Sequence, residues 1–181
     1  KINIGYFGSL YKSRGIDLII KLASIDPEND YYIYGNKKQL KIPISKKTEK
    51  NLYLNEYVPY KKISKILLDM DLLLMPYTSS ITVAGDVGDI TKYTSPLKLF
   101  DYLSVGRPII CSNFNVLKEI ITENKNAIFV KNYQNVFAWK KEITKLINKP
   151  EKMKIISKNN YKLSKKYSHS ARALKILDII K

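Results

Sequence analysis

Short apolar runs alternate with amphipathic segments along the whole chain. The apolar runs predict strands at residues 2–7, 31–34, 52–54, 72–75, 109–111 and 127–130. Apolar positions at helical spacing predict helices at residues 15–24, 61–69, 96–105, 116–122 and 136–148. This regular alternation of strand and helix is typical of an α/β protein.

The strand at residues 72–75 carries no polar residue, which indicates a parallel sheet covered on both sides. The predicted fold class is therefore α/β, a Rossmann-like doubly wound parallel sheet of about six strands with helices on both faces and extra C-terminal helices. Ligands of such sheets bind beyond the carboxyl ends of the strands. We therefore expect the loops after Phe7, Tyr34 and Met75 to share one crevice.

The length of 181 residues fits a single domain covering residues 1–181. Residues 151–181 form two further amphipathic segments, predicted to be a helical appendage of that domain. In the second segment the apolar positions Ala171, Leu174, Leu177 and Ile180 are predicted to pack into a core, with Ser168 as the N-cap. The chain begins at Lys1 directly in a strand pattern, and we expect it to be part of a larger protein.

The formal net charge of +16 raises nucleic acids and anionic membranes as partners. The lysines are scattered over separate segments, so we expect no nucleic-acid partner; a weak peripheral membrane contact and a bias in base composition stay open. A single cysteine, Cys111, rules out an internal disulfide, and one cysteine with one histidine cannot build a zinc site.

The segment at residues 93–102 reads as a helix start that can hold an anion. Ser95 suits the N-cap and Pro96 the first helical position, so the amides from Leu97 onward are free. Free amides at the positive end of a helix dipole attract phosphate, and Lys98 adds a full charge. The sequence therefore predicts a phosphate site here.

Helical spacing also divides this helix into two faces. Leu99, Phe100 and Leu103 are predicted to pack, whereas Lys98 and Asp101 are predicted to face the ligand. An ordinary surface ion pair between Lys98 and Asp101 is the alternative.

The turn after the first strand offers a second phosphate site. It places Gly8 and Ser9 at a strand end and the cations Lys12 and Arg14 just before a helix. The pattern is neither the dinucleotide fingerprint nor a P-loop. Arg14 can bind two phosphate oxygens in a bidentate manner. The alternative is that Arg14 only caps structure at the protein surface.

Both segments resemble motifs of glycosyltransferase family 4, also called group 1, whose members have the GT-B fold. The likeness runs over almost the whole chain and rests on residues 95–102 with Gly106-Arg107-Pro108, and on residues 8–15. The resemblance implies the C-terminal, donor-binding domain of a retaining glycosyltransferase. In that family an N-terminal domain holds the acceptor, and we expect residues 1–181 to correspond only to the C-terminal half of such an enzyme.

The resemblance also assigns roles. It implies that Arg14 and Lys98 are catalytic and clamp the donor diphosphate. Ser9 occupies the place of a first cation, for which Lys12 is predicted to compensate in part.

The remaining roles concern the nucleoside. Asp101 matches a carboxylate that binds ribose hydroxyls, whereas Tyr93 stands where the motif has its other glutamate. Asp86 or Asp89 is a candidate replacement. The segments with Gly35 and with Tyr57-Val58 resemble the base-binding segments, and Gly8, Ser95, Pro96 and Leu97 complete the predicted nucleotide-sugar contacts.

The sequence therefore predicts transfer of a sugar from a nucleotide-diphosphate sugar to a glycan or lipid-linked acceptor, without metal, in polysaccharide biosynthesis. The expected location is cytoplasmic, with the inner membrane face open, and this chain alone is expected to be inactive. A non-catalytic GT-B-like binding module and another GT-B enzyme, such as a nucleotide-sugar epimerase, remain alternatives.

Overall fold

The computed structural model describes residues 1–40, 42–46, 48–78 and 97–180. Within these residues, parallel strands form one sheet with the order β3-β2-β1-β4-β5-β6. The strands are β1 Asn3–Phe7, β2 Asp30–Tyr34, β3 Leu52–Asn55, β4 Leu72–Met75, β5 Ile109–Ser112 and β6 Ala127–Val130. The predicted Rossmann-like sheet is confirmed, because the strand order reverses between β1 and β4 as in a doubly wound fold.

The helices follow the predicted alternation. They are α1 Ile16–Ile25, α2 Tyr60–Leu68, α3 Leu97–Ser104, α4 Asn115–Lys118, α5 Val136–Ile147, α6 Pro150–Lys165 and α7 His169–Ile180. Short 3₁₀ turns cover Lys12–Arg14, Lys37–Gln39 and Thr48–Lys50. Among the described helices, none combines the length and apolarity needed to cross a bilayer.

The core lies on both faces of the sheet, as the apolar strand at residues 72–75 predicts. Leu72 and Leu74 belong to the cluster that includes α1 and α5. Leu73 and Met75 point the other way, into the cluster that includes α2, α3 and α4. A strand buried on both faces needs apolar side chains at every position, which explains the uninterrupted run.

Helix α6 ties the end of α3 to the rest of the domain. The buried Asn160 of α6 donates a hydrogen bond to the Arg107 carbonyl at 2.9 Å and accepts one from Asn126 at 3.2 Å. Ile156 of α6 is fully buried in the core. The helix that follows β4 is therefore fixed at its carboxyl end.

The predicted packing of Leu174 and Leu177 of α7 is wrong, whereas the side chain of Ile180 lies outside the described residues. Ser168 does cap the helix, since its Oγ accepts the Ala171 amide at 3.2 Å. Leu174 and Leu177, however, are 62% and 55% exposed. The earlier helices already cover both faces of the sheet, so α7 has no sheet surface left to bury.

Helix α4 is also shorter than the predicted 116–122. It ends at Lys118, where the chain turns and the Ile120 amide bonds the Leu117 carbonyl. Ile121 is still buried, so its apolar character reflects the core rather than a longer helix.

Candidate functional site

A crevice opens where the strand order reverses, between the carboxyl ends of β1 and β4. The two strands pair at Ile4 and Gly5 and then separate. The hydroxyl of Tyr102, from α3, enters the gap: it accepts the Phe7 amide at 3.0 Å and donates to the Leu74 carbonyl at 3.4 Å. The side chain satisfies backbone groups that strand pairing leaves open and holds α3 over the crevice.

A cleft of about 320 Å³ lies above this point. It draws on the ends of β1 and β2, the segment after β3, the segment after β4, and helices α2 and α3. Its lining residues are Phe7, Gly8, Ser9, Arg14, Tyr34, Tyr57, Val58, Ile63, Tyr77, Leu97, Lys98, Asp101 and Tyr102. The loops after Phe7, Tyr34 and Met75 thus share one crevice, as the sequence predicts.

Helix α3 presents its polar face to the cleft. Leu99, Tyr102 and Leu103 are fully buried behind it. Phe100, predicted to be buried, is only partly so, because Tyr102 takes the inner position and Phe100 turns toward Tyr167 at 5.2 Å between ring centres. This arrangement leaves Lys98 and Asp101 beside the cleft.

Lys98 is partly buried among aromatic rings. Its Nζ donates to the Tyr6 hydroxyl at 3.0 Å and lies 4.2 Å from the centre of the Tyr6 ring. Burial, and next the charge of Arg14, together lower the pKa of Lys98 from the ordinary 10.5 to about 7. An anion in the cleft would favour the charged form again, so ligand binding and protonation of Lys98 are linked.

Gly8 makes room for this ammonium. A Cβ at Gly8 would lie 3.0 Å from Lys98 Nζ and 3.3 Å from its Cε. The φ angle of Gly8 is also +141°, which residues with a side chain rarely adopt. Backbone and lysine can therefore approach each other only with glycine at this position.

Arg14 reaches the same part of the cleft from the other side. It ends the 3₁₀ turn Lys12–Arg14, and its guanidinium carbon lies 5.8 Å from the centre of the Tyr77 ring. Lys98 Nζ lies 5.5 Å from the centre of that same ring. Both cations therefore lie near the ring of one buried tyrosine and line the same cleft, and the charge of Arg14 is close enough to help lower the pKa of Lys98.

Asp101 lines the same cleft but is held by another group. Its Oδ1 accepts a hydrogen bond from the Tyr60 hydroxyl at 3.0 Å. Burial raises the pKa of Asp101, while the Tyr60 hydrogen bond opposes that change. Lys98 and Asp101 thus turn to different partners, Tyr6 and Tyr60, rather than forming the ion pair considered from the sequence.

Aromatic side chains form the opposite wall. The rings of Phe7 and Tyr34 stack with centres 4.5 Å apart. Tyr57 stands at the mouth and is 66% exposed. Flat apolar walls beside a pair of cations suit a ligand with a planar ring and a negatively charged group.

The structure brings most of the predicted residues into this cleft, although their roles stay predictions. Gly8, Ser9, Arg14, Tyr57, Val58, Leu97, Lys98 and Asp101 line it.

Two predicted residues do not line the cleft. Lys12 is exposed at the start of the 3₁₀ turn, where Arg14 is the residue that turns inward. Gly35 is buried, and a Cβ there would lie 2.3 Å from the Gly8 carbonyl oxygen, so it supports the neighbouring turn.

Five further residues of the sequence interpretation lie outside the described residues. They are Ser95, Pro96, Tyr93, Asp86 and Asp89. The predicted contacts of Ser95 and Pro96 and the proposed replacement of a glutamate therefore have no structural account here.

Sequence reasoning missed Tyr6 and Tyr77, whose rings lie near the cations. Both are buried; Tyr6 falls in the first predicted strand, and Tyr77 falls in the connection that follows the predicted strand at residues 72–75. The available signal was chemical, because a tyrosine near the end of a buried strand needs a partner for its hydroxyl. Tyr6 finds one in Lys98, distant in sequence.

Within the described residues, no group of three or more His, Cys, Asp or Glu side chains could hold a metal ion.

Comparison with protein families gives one match, to the model of the glycosyl transferases group 1, over residues 1–163. Among curated proteins, no relative matches.

Solved structures of similar fold include three informative examples. Anabaena HepE in complex with UDP shares 11% identity at a TM-score of 0.78, and the match covers 99% of this chain and 48% of HepE. Sucrose-phosphate synthase from Thermosynechococcus elongatus shares 13% identity at a TM-score of 0.76, and the match covers 99% of this chain and 45% of the synthase.

The third is the C-terminal domain of LpcC, described as a group 1 family protein, from Francisella tularensis. It shares 17% identity at a TM-score of 0.71, covering 93% of this chain and 87% of that domain. At these identities the likeness establishes the fold. The chain spans about half the length of HepE and of the synthase.

Proposed function

We propose that this chain is the donor-binding domain of a retaining glycosyltransferase. It belongs to the glycosyl transferases group 1 family, because the sequence model of that family matches residues 1–163. The donor is a nucleotide-diphosphate sugar, and the acceptor is a glycan or a lipid-linked glycan bound by an N-terminal domain. The HepE structures contain UDP or UDP-glucose, which supports a nucleotide-sugar donor.

One observation carries the proposal: Arg14 and Lys98 both lie near the ring of Tyr77 in one cleft at the reversal of strand order. Cleavage of the sugar–phosphate bond builds negative charge on the leaving diphosphate. Two cations at that position stabilise the charge more in the transition state than in the ground state. Each charge-assisted contact would contribute on the order of 2–4 kcal/mol.

Protonation of Lys98 belongs to this mechanism. In the empty cleft its pKa of about 7 leaves it partly neutral at neutral pH. A diphosphate beside it favours the ammonium, so the donor completes the charge of its own site.

The nucleoside would lie along the aromatic wall. In this arrangement Asp101 accepts hydrogen bonds from the ribose hydroxyls, for which Tyr60 must release it. The base lies near Tyr57 and Val58. The amides from Leu97 onward are proposed to bind the diphosphate at the helix start, and Ser95 and Pro96 before them are proposed to contact the nucleotide sugar.

Calorimetric titration with UDP and with GDP tests the proposal. We expect saturable binding that is lost in Arg14→Ala and in Lys98→Ala. Lys141→Ala serves as the matched control, because Lys141 is an exposed cation on α5 away from the cleft. Equal loss in all three variants would indicate unspecific charge attraction, and no binding by the wild-type chain would overturn the proposal.

Ser9 favours one alternative, a non-catalytic binding module of the same fold. It is exposed and uncharged at the place where the family motif has a cation. Such a module predicts no saturable nucleotide binding that depends on Arg14 or Lys98. It also predicts no sugar transfer by the protein that carries its partner domain.

The remaining parts of the proposal concern the reaction as a whole. Residues 1–181 act as a single domain that binds donor but does not transfer sugar by itself, and turnover by this chain alone would contradict that. We propose that no metal is needed, so excess EDTA should leave nucleotide affinity unchanged.

The proposed setting is polysaccharide assembly in the cytoplasm, with peripheral contact at the inner membrane face. It predicts cosedimentation with anionic vesicles that falls with salt. Nucleic acid is not a proposed partner, and tight binding to DNA or RNA that persists at physiological salt would contradict this.

A further inference from the structure

Tyr6 lies at the base of the cleft and has no role in the function proposed so far. Its side chain is 1% exposed near the carboxyl end of β1. The hydroxyl donates to the Ser9 carbonyl at 2.8 Å and accepts from Lys98 Nζ at 3.0 Å. It thus connects the turn after β1 with the first turn of α3.

The phenol has a single hydroxyl proton, which it donates in the hydrogen bond to the Ser9 carbonyl. Only the oxygen lone pairs of Tyr6 are then left to face Lys98. Burial raises the pKa of Tyr6 well above its ordinary value, so the phenol stays neutral and keeps this orientation. The contact uses one donor of the ammonium and leaves two for a ligand.

The other groups around Lys98 do not hold its charge. Arg14 faces it with the same sign, and burial disfavours the charged form. Tyr77 presents its ring, the hydroxyl of Tyr102 is engaged with the backbone of β1 and β4, and Asp101 on the same helix accepts from Tyr60. Among the residues that the structure describes, Tyr6 is therefore the acceptor that keeps the ammonium inside the cleft.

We propose that Tyr6 is a positioning residue whose hydroxyl holds the Lys98 ammonium beside Gly8 and Arg14, where the donor diphosphate meets it. This inference rests on the proposed function for its ligand, although the Tyr6–Lys98 contact itself does not. The effect on nucleotide is indirect, through Lys98.

The variant Tyr6→Phe keeps the ring and removes only the hydroxyl. Binding of UDP-glucose is measured by calorimetry from about pH 6 to about pH 9, on both sides of the Lys98 pKa of about 7. We expect about tenfold weaker binding at neutral pH, in line with the loss of a hydrogen bond to a charged group. The pH at which affinity begins to fall should also move lower, because Lys98 loses an acceptor that favours its charged form.

Tyr31→Phe is the matched control. Tyr31 is an equally buried tyrosine on the neighbouring strand β2, and its hydroxyl donates to Asp26 at 2.7 Å, outside the cleft. This variant should lose stability and keep the wild-type affinity and pH profile. Affinity and profile in Tyr6→Phe that equal those of wild type or of Tyr31→Phe would overturn the proposal.

A second measurement needs no nucleotide. NMR titration of ¹³C-labelled lysine in the ligand-free chain should give a lower midpoint for Lys98 in Tyr6→Phe than in wild type, and equal midpoints would overturn the inference. If wild type fails to bind UDP-glucose, the proposed function fails and this titration still decides the role of Tyr6. Should Tyr6→Phe not fold, a wild-type Overhauser contact between Lys98 Hε and the Tyr6 ring supports the positioning, and its absence overturns it.

Discussion

Replacement of Lys98 by methionine should stabilise the ligand-free chain while it removes nucleotide binding. The folded protein holds Lys98 with a pKa of about 7, against an ordinary 10.5, chiefly because of burial. Below pH 10.5 Lys98 is protonated in the unfolded chain, whereas burial in the folded chain disfavours this charged form. Methionine has a similar shape, carries no charge, and removes this cost.

The lowering of the Lys98 pKa from 10.5 to about 7 corresponds to a destabilisation of the folded state by at most about 5 kcal/mol, at about 1.4 kcal/mol per pKa unit. Lys98 is only partly buried, so water reduces the cost, and the hydrogen bond to Tyr6 is lost in the variant. We expect a net gain of about 1–3 kcal/mol in the free energy of unfolding.

The sign of the pH dependence follows from linkage. Between about pH 7 and pH 10.5 the unfolded chain binds more protons at this position than the folded chain, so Lys98 destabilises less as the pH rises. The advantage of Lys98→Met should be greatest at and below about pH 7 and should vanish near pH 10.5.

Urea denaturation of both proteins at pH 7 and near pH 10, monitored by circular dichroism, measures the difference. Lys141→Met is the control for removal of an exposed lysine and should change stability little at either pH. A Lys98→Met protein that is less stable than wild type at pH 7, or whose advantage is independent of pH, would refute this reasoning.

Three further substitutions probe the crevice. Gly8→Ala should lower the free energy of unfolding by about 1–3 kcal/mol, displace the Lys98 ammonium and weaken nucleotide binding. Gly106→Ala is the control: Gly106 also has a positive φ but lies outside the cleft, so this variant should strain the backbone and leave nucleotide affinity unchanged. Tyr102→Phe should cost about 1–3 kcal/mol in thermal or urea denaturation, because the amide it bonds at the end of β1 loses its partner; a neutral result would mean that β1 and β4 close the gap themselves. Tyr60→Phe should free Asp101 and tighten UDP binding by up to about tenfold, and an equal gain with 2′,3′-dideoxy-UDP would show that ribose is not the group released to Asp101.

Much of the fold could be predicted because the strands here are short, apolar and bounded by clear turns. The run at residues 72–75 identifies a strand buried on both faces, and β4 has those bounds. The predictions are wrong where an apolar residue is buried outside a helix, or where it lies on a helix but stays exposed. Ile121 is buried beyond the end of α4, and Leu174 and Leu177 recur at helical spacing on a helix that leaves them exposed.

The candidate site divides in the same way. Arg14 and Lys98 could be selected because they stand just before a helix and in the first turn of one, where parallel sheets bind ligands. Asp101 could be selected because it matches a carboxylate of the family motif. Tyr6 and Tyr77 could not, because their relation to the cations arises only when β1, β4 and α3 meet. The spacing of Lys98 and Asp101 suggested a common partner, whereas the fold gives each its own tyrosine.

The most direct test of the central claim is a crystal structure of this chain with UDP. The account predicts diphosphate oxygens within about 2.7–3.2 Å of both the Arg14 guanidinium and the Lys98 ammonium. Diphosphate bound elsewhere, or in contact with neither cation at full occupancy, would contradict it.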